Sequence, residues 1–101
     1  MRSFILNENE MNELAKRQPT PFLVLSVDKV AENYAFLRKH LPRAGIYFAI
    51  KANPHPAILR TLVEEGFGLE CVSLGEIRHV LASVPGLSPQ QVLFTPSFAP
   101  R

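Results

Sequence analysis

Lys51 closes the apolar run Ile46-Tyr47-Phe48-Ala49-Ile50 and is followed by Ala52-Asn53-Pro54-His55-Pro56. Lysine offers a primary amine on a flexible stem, and burial lowers its pKa until the neutral, nucleophilic form becomes accessible; arginine cannot do this. If the run is a strand, Tyr47, Ala49 and Lys51 share one face and Ile46, Phe48 and Ile50 the other. The ammonium then looks inward at the carboxyl end of a strand, where α/β proteins place their chemistry. The ordinary reading of a lysine at a strand end is that it snorkels into water.

Glu70 is the second ionisable anomaly. It interrupts the apolar run Phe67 to Val72, on the face of Gly68 and Val72, opposite Phe67, Leu69 and Cys71. On a strand parallel to and beside that of Lys51, its carboxylate would stand near the same end of the sheet and favour the ammonium form, as a structural ion pair or as a ligand contact. The remaining polar residues read as helix caps. Ser73-Leu74-Gly75-Glu76 has the form of a capping box, with Ser73 accepting from the third helical residue and Glu76 reaching back to the cap. His55-Pro56 reads as a cap followed by proline in the first helical turn. Cys71 reads as a small buried hydrophobe, and no spaced His/Cys cluster suggests a metal.

The elements that must position these residues alternate. Asn7 caps a helix running to about Arg17, with Glu10 completing a capping box and Leu6 and Met11 a hydrophobic staple. Gln18-Pro19-Thr20-Pro21 stops it. Phe22 to Val27 is a strand-length apolar run, and Asp28 stands as N-cap of a helix reaching about Leu41, with Val30, Tyr34, Leu37 and Leu41 as its apolar stripe. Tyr34 on that stripe reads as packing. The lysine strand follows, then a helix burying Ile58, Leu59 and Leu62 and ending at Gly66. Next come the Glu70 strand and a helix with Ile77, Val80, Leu81 and Val84 inward, closed by Pro85-Gly86. A last strand spans about Gln91 to Thr95. Strand starts near residues 22, 46, 67 and 92 predict four parallel strands with helical crossovers.

A chain of 101 residues with 47% hydrophobic content can build a core. The net charge of +2, from 11 basic and 9 acidic residues, is spread without a basic run, so nucleic acid is not indicated. One cysteine, no charged-then-apolar leader and no apolar run longer than a strand give the expectation of a soluble cytoplasmic protein without a membrane partner.

Phe48-Ala49-Ile50-Lys51-Ala52-Asn53-Pro54 followed by Glu70-Cys71-Val72-Ser73-Leu74-Gly75-Glu76-Ile77 resembles the opening of the alanine-racemase-like barrel of pyridoxal-phosphate decarboxylases. Thr20-Pro21-Phe22, Asp28 to Tyr34 and the closing Phe94 to Arg101 read the same way. Within that family the likeness is greatest to diaminopimelate decarboxylase, including the decarboxylase half of its fusions with aspartate kinase. Glu70 stands where most relatives have aspartate, and His55 where asparagine is common.

The resemblance implies the fold class: α/β, the first four βα units of a TIM-type (β/α)₈ barrel, incomplete in this chain because such a barrel needs roughly 250 residues. Residues 1–21 would form a helix and proline-rich lead-in, and 22–101 the N-terminal half of the barrel. It further implies pyridoxal 5'-phosphate as cofactor, held by Lys51 as a Schiff base, with Glu70 as a neighbour of the cofactor and Asn53 and Ser73 as backbone supports. The implied reaction is decarboxylation of meso-diaminopimelate to lysine by a homodimer, with ornithine or arginine as rival substrates. A racemase is less favoured, since the residues after Lys51 lack the tyrosine-glycine pair of racemases. A single-domain protein that binds the cofactor without turnover and a non-functional fragment are the other readings.

Overall fold

The computed structural model describes residues 5–96; the closing stretch from Ser97 to Arg101, which carries part of the resemblance, lies outside them. Helix α1 spans Glu8–Arg17 and α2 spans Val27–His40. They are followed by β1 (Tyr47–Ala49), a 3₁₀ turn (Ile50–Ala52), α3 (Pro56–Glu64), β2 (Gly68–Cys71), α4 (Leu74–Ser83), a second 3₁₀ turn (Pro89–Gln91) and β3 (Val92–Phe94). The three strands are parallel in the order β1-β2-β3. Parallel neighbours cannot be joined by a tight turn, so α3 and α4 fill the connections and pack against β2.

The parallel α/β organisation is the one expected, but the first of the four expected strands does not form. Phe22 to Ser26 is irregular, and Leu23 is 91% exposed. A strand exists only where another backbone completes its ladder, and among the described residues none pairs with this stretch. The helix after it starts earlier than expected, because the Ser26 hydroxyl accepts from the Lys29 amide at 3.1 Å and caps α2; Asp28 lies inside the first turn.

β1 is also shorter than its apolar run, since Ile50 already belongs to a 3₁₀ turn. The register sets Tyr47 beside Gly68, Ala49 beside Glu70, and Glu70 beside Leu93, so these share one face of the sheet. On the other face Leu69 and Cys71 are fully buried beneath α3 and α4, with Ile50, Leu59 and Val80 in the same cluster. A second cluster of Ile58, Leu62 and Phe67 receives Val30 and Tyr34 from α2, and Phe48 touches both. Tyr34 packs edge-on to Phe67 (5.1 Å, 67°) and Phe48 (6.1 Å, 82°), the packing role read from its stripe. Leu37, Leu41 and Leu81, expected on buried stripes, are 39%, 49% and 54% exposed.

Two glycines are required where they stand. Gly66 has φ +91° and closes α3 in a Schellman motif, its own amide donating to Val63 O at 2.9 Å and that of Phe67 to Leu62 O at 3.0 Å. The Arg38 guanidinium lies against Gly66, donates to the Glu65 carbonyl and sits 5.8 Å over the Phe67 ring, so α2 covers this helix end. At Gly68 the Tyr47 ring occupies the space a Cβ would need, and the Tyr47 hydroxyl donates to Gln90 O at 3.3 Å. The ring thus crosses β2 and ties β1 to the approach of β3.

Exposed apolar side chains are numerous for so short a chain: Leu23, Val24, Leu25, Phe36 and Leu93 are all at least 38% accessible. Both edge strands are unpaired on one side among the described residues. The 101-residue chain produced in isolation is therefore expected to self-associate or unfold over a broad transition. Sedimentation and thermal melting check this, and a monomer with one sharp, reversible transition would contradict it.

Candidate functional site

Lys51 stands on a single 3₁₀ turn at the carboxyl end of β1. Residue 50 before it is an anchor, with the Ile50 side chain 1% exposed in the core, while Lys51 itself is exposed. After the turn Asn53 is extended (φ −165°), and its side-chain oxygen accepts from the His55 amide at 3.1 Å. Asn53 thus supports the local backbone, as the sequence suggests. His55 Nδ1 accepts from the Ala57 amide at 3.1 Å and opens α3, which makes it the cap expected of it. The turn also changes the geometry expected of the lysine, because the strand pleat relating Tyr47 to Ala49 no longer dictates where Lys51 stands.

Ile50, Lys51 and Pro54 line an open cleft of about 520 Å³ together with Ser73, Gly75, Glu76 and His79. The second group comes from the first turns of α4 and its cap. Ser73 Oγ accepts from the Glu76 amide at 3.1 Å, so Ser73 is the cap that was expected. Glu76 departs from the expected capping box: its Oε1 accepts from the Val72 amide at 2.9 Å, not from that of the cap residue. Strand end and helix start are thereby tied one residue farther back, and a carboxylate is held at the cleft with its donor identified.

Glu70 is half-buried beside Ala49 and is not among the residues lining this cleft. The ion pairs within 4 Å among the described residues are Lys16–Glu13, Arg17–Glu13 and Lys29–Glu32, so the structural Lys51–Glu70 pair weighed from the sequence is not formed. The register gives the reason: β1 ends opposite Glu70, and Lys51 lies beyond it on the turn. Among the described residues the Lys51 amine has no ion-pair partner.

Sequence reasoning passed over His79 entirely. Its Nε2 lies 2.6 Å from the Pro54 carbonyl and 3.5 Å from Ser83 Oγ, joining α4 to the chain just after Lys51. Glu76, His79 and Ser83 fall at helical spacings of one face, and that periodicity was the signal available. Cys71 is fully buried, and its thiol is pushed up first by burial and then by the charges of Glu76 and Glu70. Among the described residues no group of three or more His, Cys, Asp or Glu could hold a metal ion, and no helix is long and apolar enough to cross a membrane.

Residues 27–100 match the family described as pyridoxal-dependent decarboxylase, pyridoxal binding domain. Among characterised proteins the chain is similar to the lysine/ornithine decarboxylase of Selenomonas ruminantium, 56% identical over 77 residues that make up 76% of this chain and 20% of that protein. It is also similar to the diaminopimelate decarboxylase of Methanothermobacter thermautotrophicus, 37% identical over 87 residues, covering 82% of this chain and 20% of the relative. The crystal structure of lysine decarboxylase from Selenomonas ruminantium superimposes with a TM-score of 0.86 at 48% identity, over 93% of this chain and 25% of that one. A crystal structure of SrLDC in complex with PLP and cadaverine gives 0.84 at 49% identity, over 91% of this chain and 24% of that one. The chain thus spans about a fifth to a quarter of the length of these proteins.

The raised Cys71 pKa and its burial set an expectation for reactivity. In mildly alkaline buffer, iodoacetamide should modify Cys71 of the folded full-length protein at least ~100-fold more slowly than in denaturant, because the thiol stays protonated and is reached only by local opening. Peptide mass mapping over time checks this; equal rates in the two solvents would contradict the burial described.

Proposed function

The chain belongs to the pyridoxal-dependent decarboxylases, matching their pyridoxal-binding domain over residues 27–100, and on that premise we propose that the full-length protein is a carboxy-lyase for a basic amino acid with Lys51 as the cofactor lysine. The observation that carries the reading is Lys51 itself: an exposed amine, without an ion-pair partner among the described residues, at the carboxyl end of a parallel strand, lining a cleft, with a buried residue before it. Residues 22–101 are the N-terminal half of a barrel in this proposal, preceded by the α1 lead-in, with a further domain and a second subunit supplied by the rest of the assembly.

The residues present fit pyridoxal phosphate. An uncommitted primary amine is the donor the cofactor aldehyde requires, and the open cleft gives that amine access. Pyridoxal phosphate, when bound, supplies the electron sink into which the electrons left by carbon dioxide are delocalised. Lys51 would hold the cofactor through its side-chain amine. Glu70, on the sheet face shared with Ala49 and not among the residues lining the cleft, would neighbour the cofactor only from that face. Ser73 and Asn53 serve the backbone and not the chemistry. Glu76, whose Oε1 accepts from the Val72 amide, places a carboxylate in the lining of the cleft, where a cationic substrate would gain from it.

Support for lysine or ornithine as substrate is the 56% identity to a lysine/ornithine decarboxylase. Support for meso-diaminopimelate, the substrate favoured by the motifs, is 37% identity to a diaminopimelate decarboxylase over a slightly longer stretch. We place lysine and ornithine first. A cytoplasmic homodimer remains part of the proposal.

Carbon dioxide release by the full-length protein should rank lysine or ornithine above meso-diaminopimelate in kcat/KM, and Lys51→Ala should lower it by roughly 10⁴-fold or more, as loss of a nucleophile does in other enzymes. The reverse ranking would move the assignment to diaminopimelate. Retention of activity in Lys51→Ala would remove the lysine from the reaction.

A further inference from the structure

Lys51 is held in place from two sides, and only one of them is the core. On its N-terminal side the turn is pinned by Ile50, which is 1% exposed among Leu59, Leu69 and Val80. On its C-terminal side the chain leaves the core: Lys51, Ala52 and Pro54 are exposed, and Pro54 has no N–H to give. Among the described residues, the tertiary hydrogen bond reaching this stretch is the one from His79 Nε2 to the Pro54 carbonyl, at 2.6 Å.

We propose that His79 is a positioning residue for Lys51, an imidazole latch that fixes the far end of the lysine turn against α4. The inference rests on the reading of Lys51 as the cofactor lysine. A carbonyl can only accept, so Nε2 must carry the proton and the latch works in one neutral tautomer. Protonation of the ring leaves the Nε2–H in place, so the latch is retained in the imidazolium. What matters is therefore a donor at that position, not a charge.

His79 itself stands on a rigid element. Its neighbour Val80 is fully buried, and the opposite end of α4 is fixed by Ser73 and Glu76. Ser83, one turn on from His79, is buried, with its Oγ 3.5 Å from the same Nε2, where it can only accept a share of that N–H. A turn anchored at one end only would let the Lys51 amine sample positions from which a cofactor aldehyde cannot be reached, and a loss of positioning of this kind lowers rate more than binding.

The test uses the full-length protein with His79→Leu, which removes the donor, and His79→Gln, whose side-chain amide reaches a similar distance and keeps one. Two readouts are taken. Hydrogen exchange of the 51–55 backbone, measured without cofactor, should rise in His79→Leu and stay near wild type in His79→Gln. The rate at which pyridoxal phosphate becomes borohydride-trappable on Lys51 should fall roughly two- to tenfold in His79→Leu, the effect one net hydrogen bond supports, and recover in His79→Gln. Unchanged exchange and trapping in His79→Leu would overturn the latch. Equal loss in both variants, with rising exchange throughout α4, would also overturn it, since His79 would then merely stabilise the helix. Absence of trapping on Lys51 in the wild type would instead defeat the cofactor reading, and the exchange result would still decide whether the latch exists.

Discussion

Ile50 must enter the core while its neighbour Lys51 stays in water, and the architecture around the cleft follows from that constraint. A strand would meet it by alternation, but β1 ends one residue earlier and a 3₁₀ turn takes over. Full burial of Ile50 stabilises by about 1.5–3 kcal/mol, and it is available only if α3 and α4 both press on this side of the sheet. Leu59 from α3 and Val80 from α4 do so, and both are fully buried. The same contacts bring the capped start of α4 alongside the lysine turn, which is how the cleft arises.

The other face of the sheet is organised differently. Tyr47 lies across Gly68 and reaches Gln90, so one aromatic ring spans the sheet where the remaining positions, Ala49 and Gly68, are small. Glu70 and Leu93 continue that face toward the carboxyl end. Beside the Tyr47 ring that face carries small residues at Ala49 and Gly68, one carboxylate and the exposed Leu93. The exposed apolar residues Leu93 and Phe94 on β3 and Leu23 to Leu25 in the lead-in are surfaces built to be covered.

Much of this was legible in the sequence because helix starts are written locally. Asn7 with Glu10, His55 with Pro56, and Ser73 cap helices through residues two or three positions away, and each forms as read. Strands are not local. Phe22 to Val27 has the composition of a strand, yet no backbone among the described residues completes its ladder, and the hydroxyl of Ser26 starts a helix at Val27 instead. The stripe positions Leu37, Leu41 and Leu81 stayed exposed for a related reason: periodicity states which face is apolar, not how far a neighbouring element extends along it. At the site, Lys51 stood out as a charge ending an apolar run. The spacing of Glu76, His79 and Ser83 puts them on one helix face, but the departure of Glu76 from its box and the contact of His79 with Pro54 depend on where α4 settles.

The central claim is that the Lys51 amine is the one this protein offers to pyridoxal phosphate, and borohydride trapping tests it most directly. The full-length protein is incubated with the cofactor, reduced, digested, and the modified lysines located by peptide mass. The structure predicts that the label within residues 1–101 falls on Lys51. A label that is absent from Lys51, or spread equally over Lys16, Lys29 and Lys39, would contradict the account.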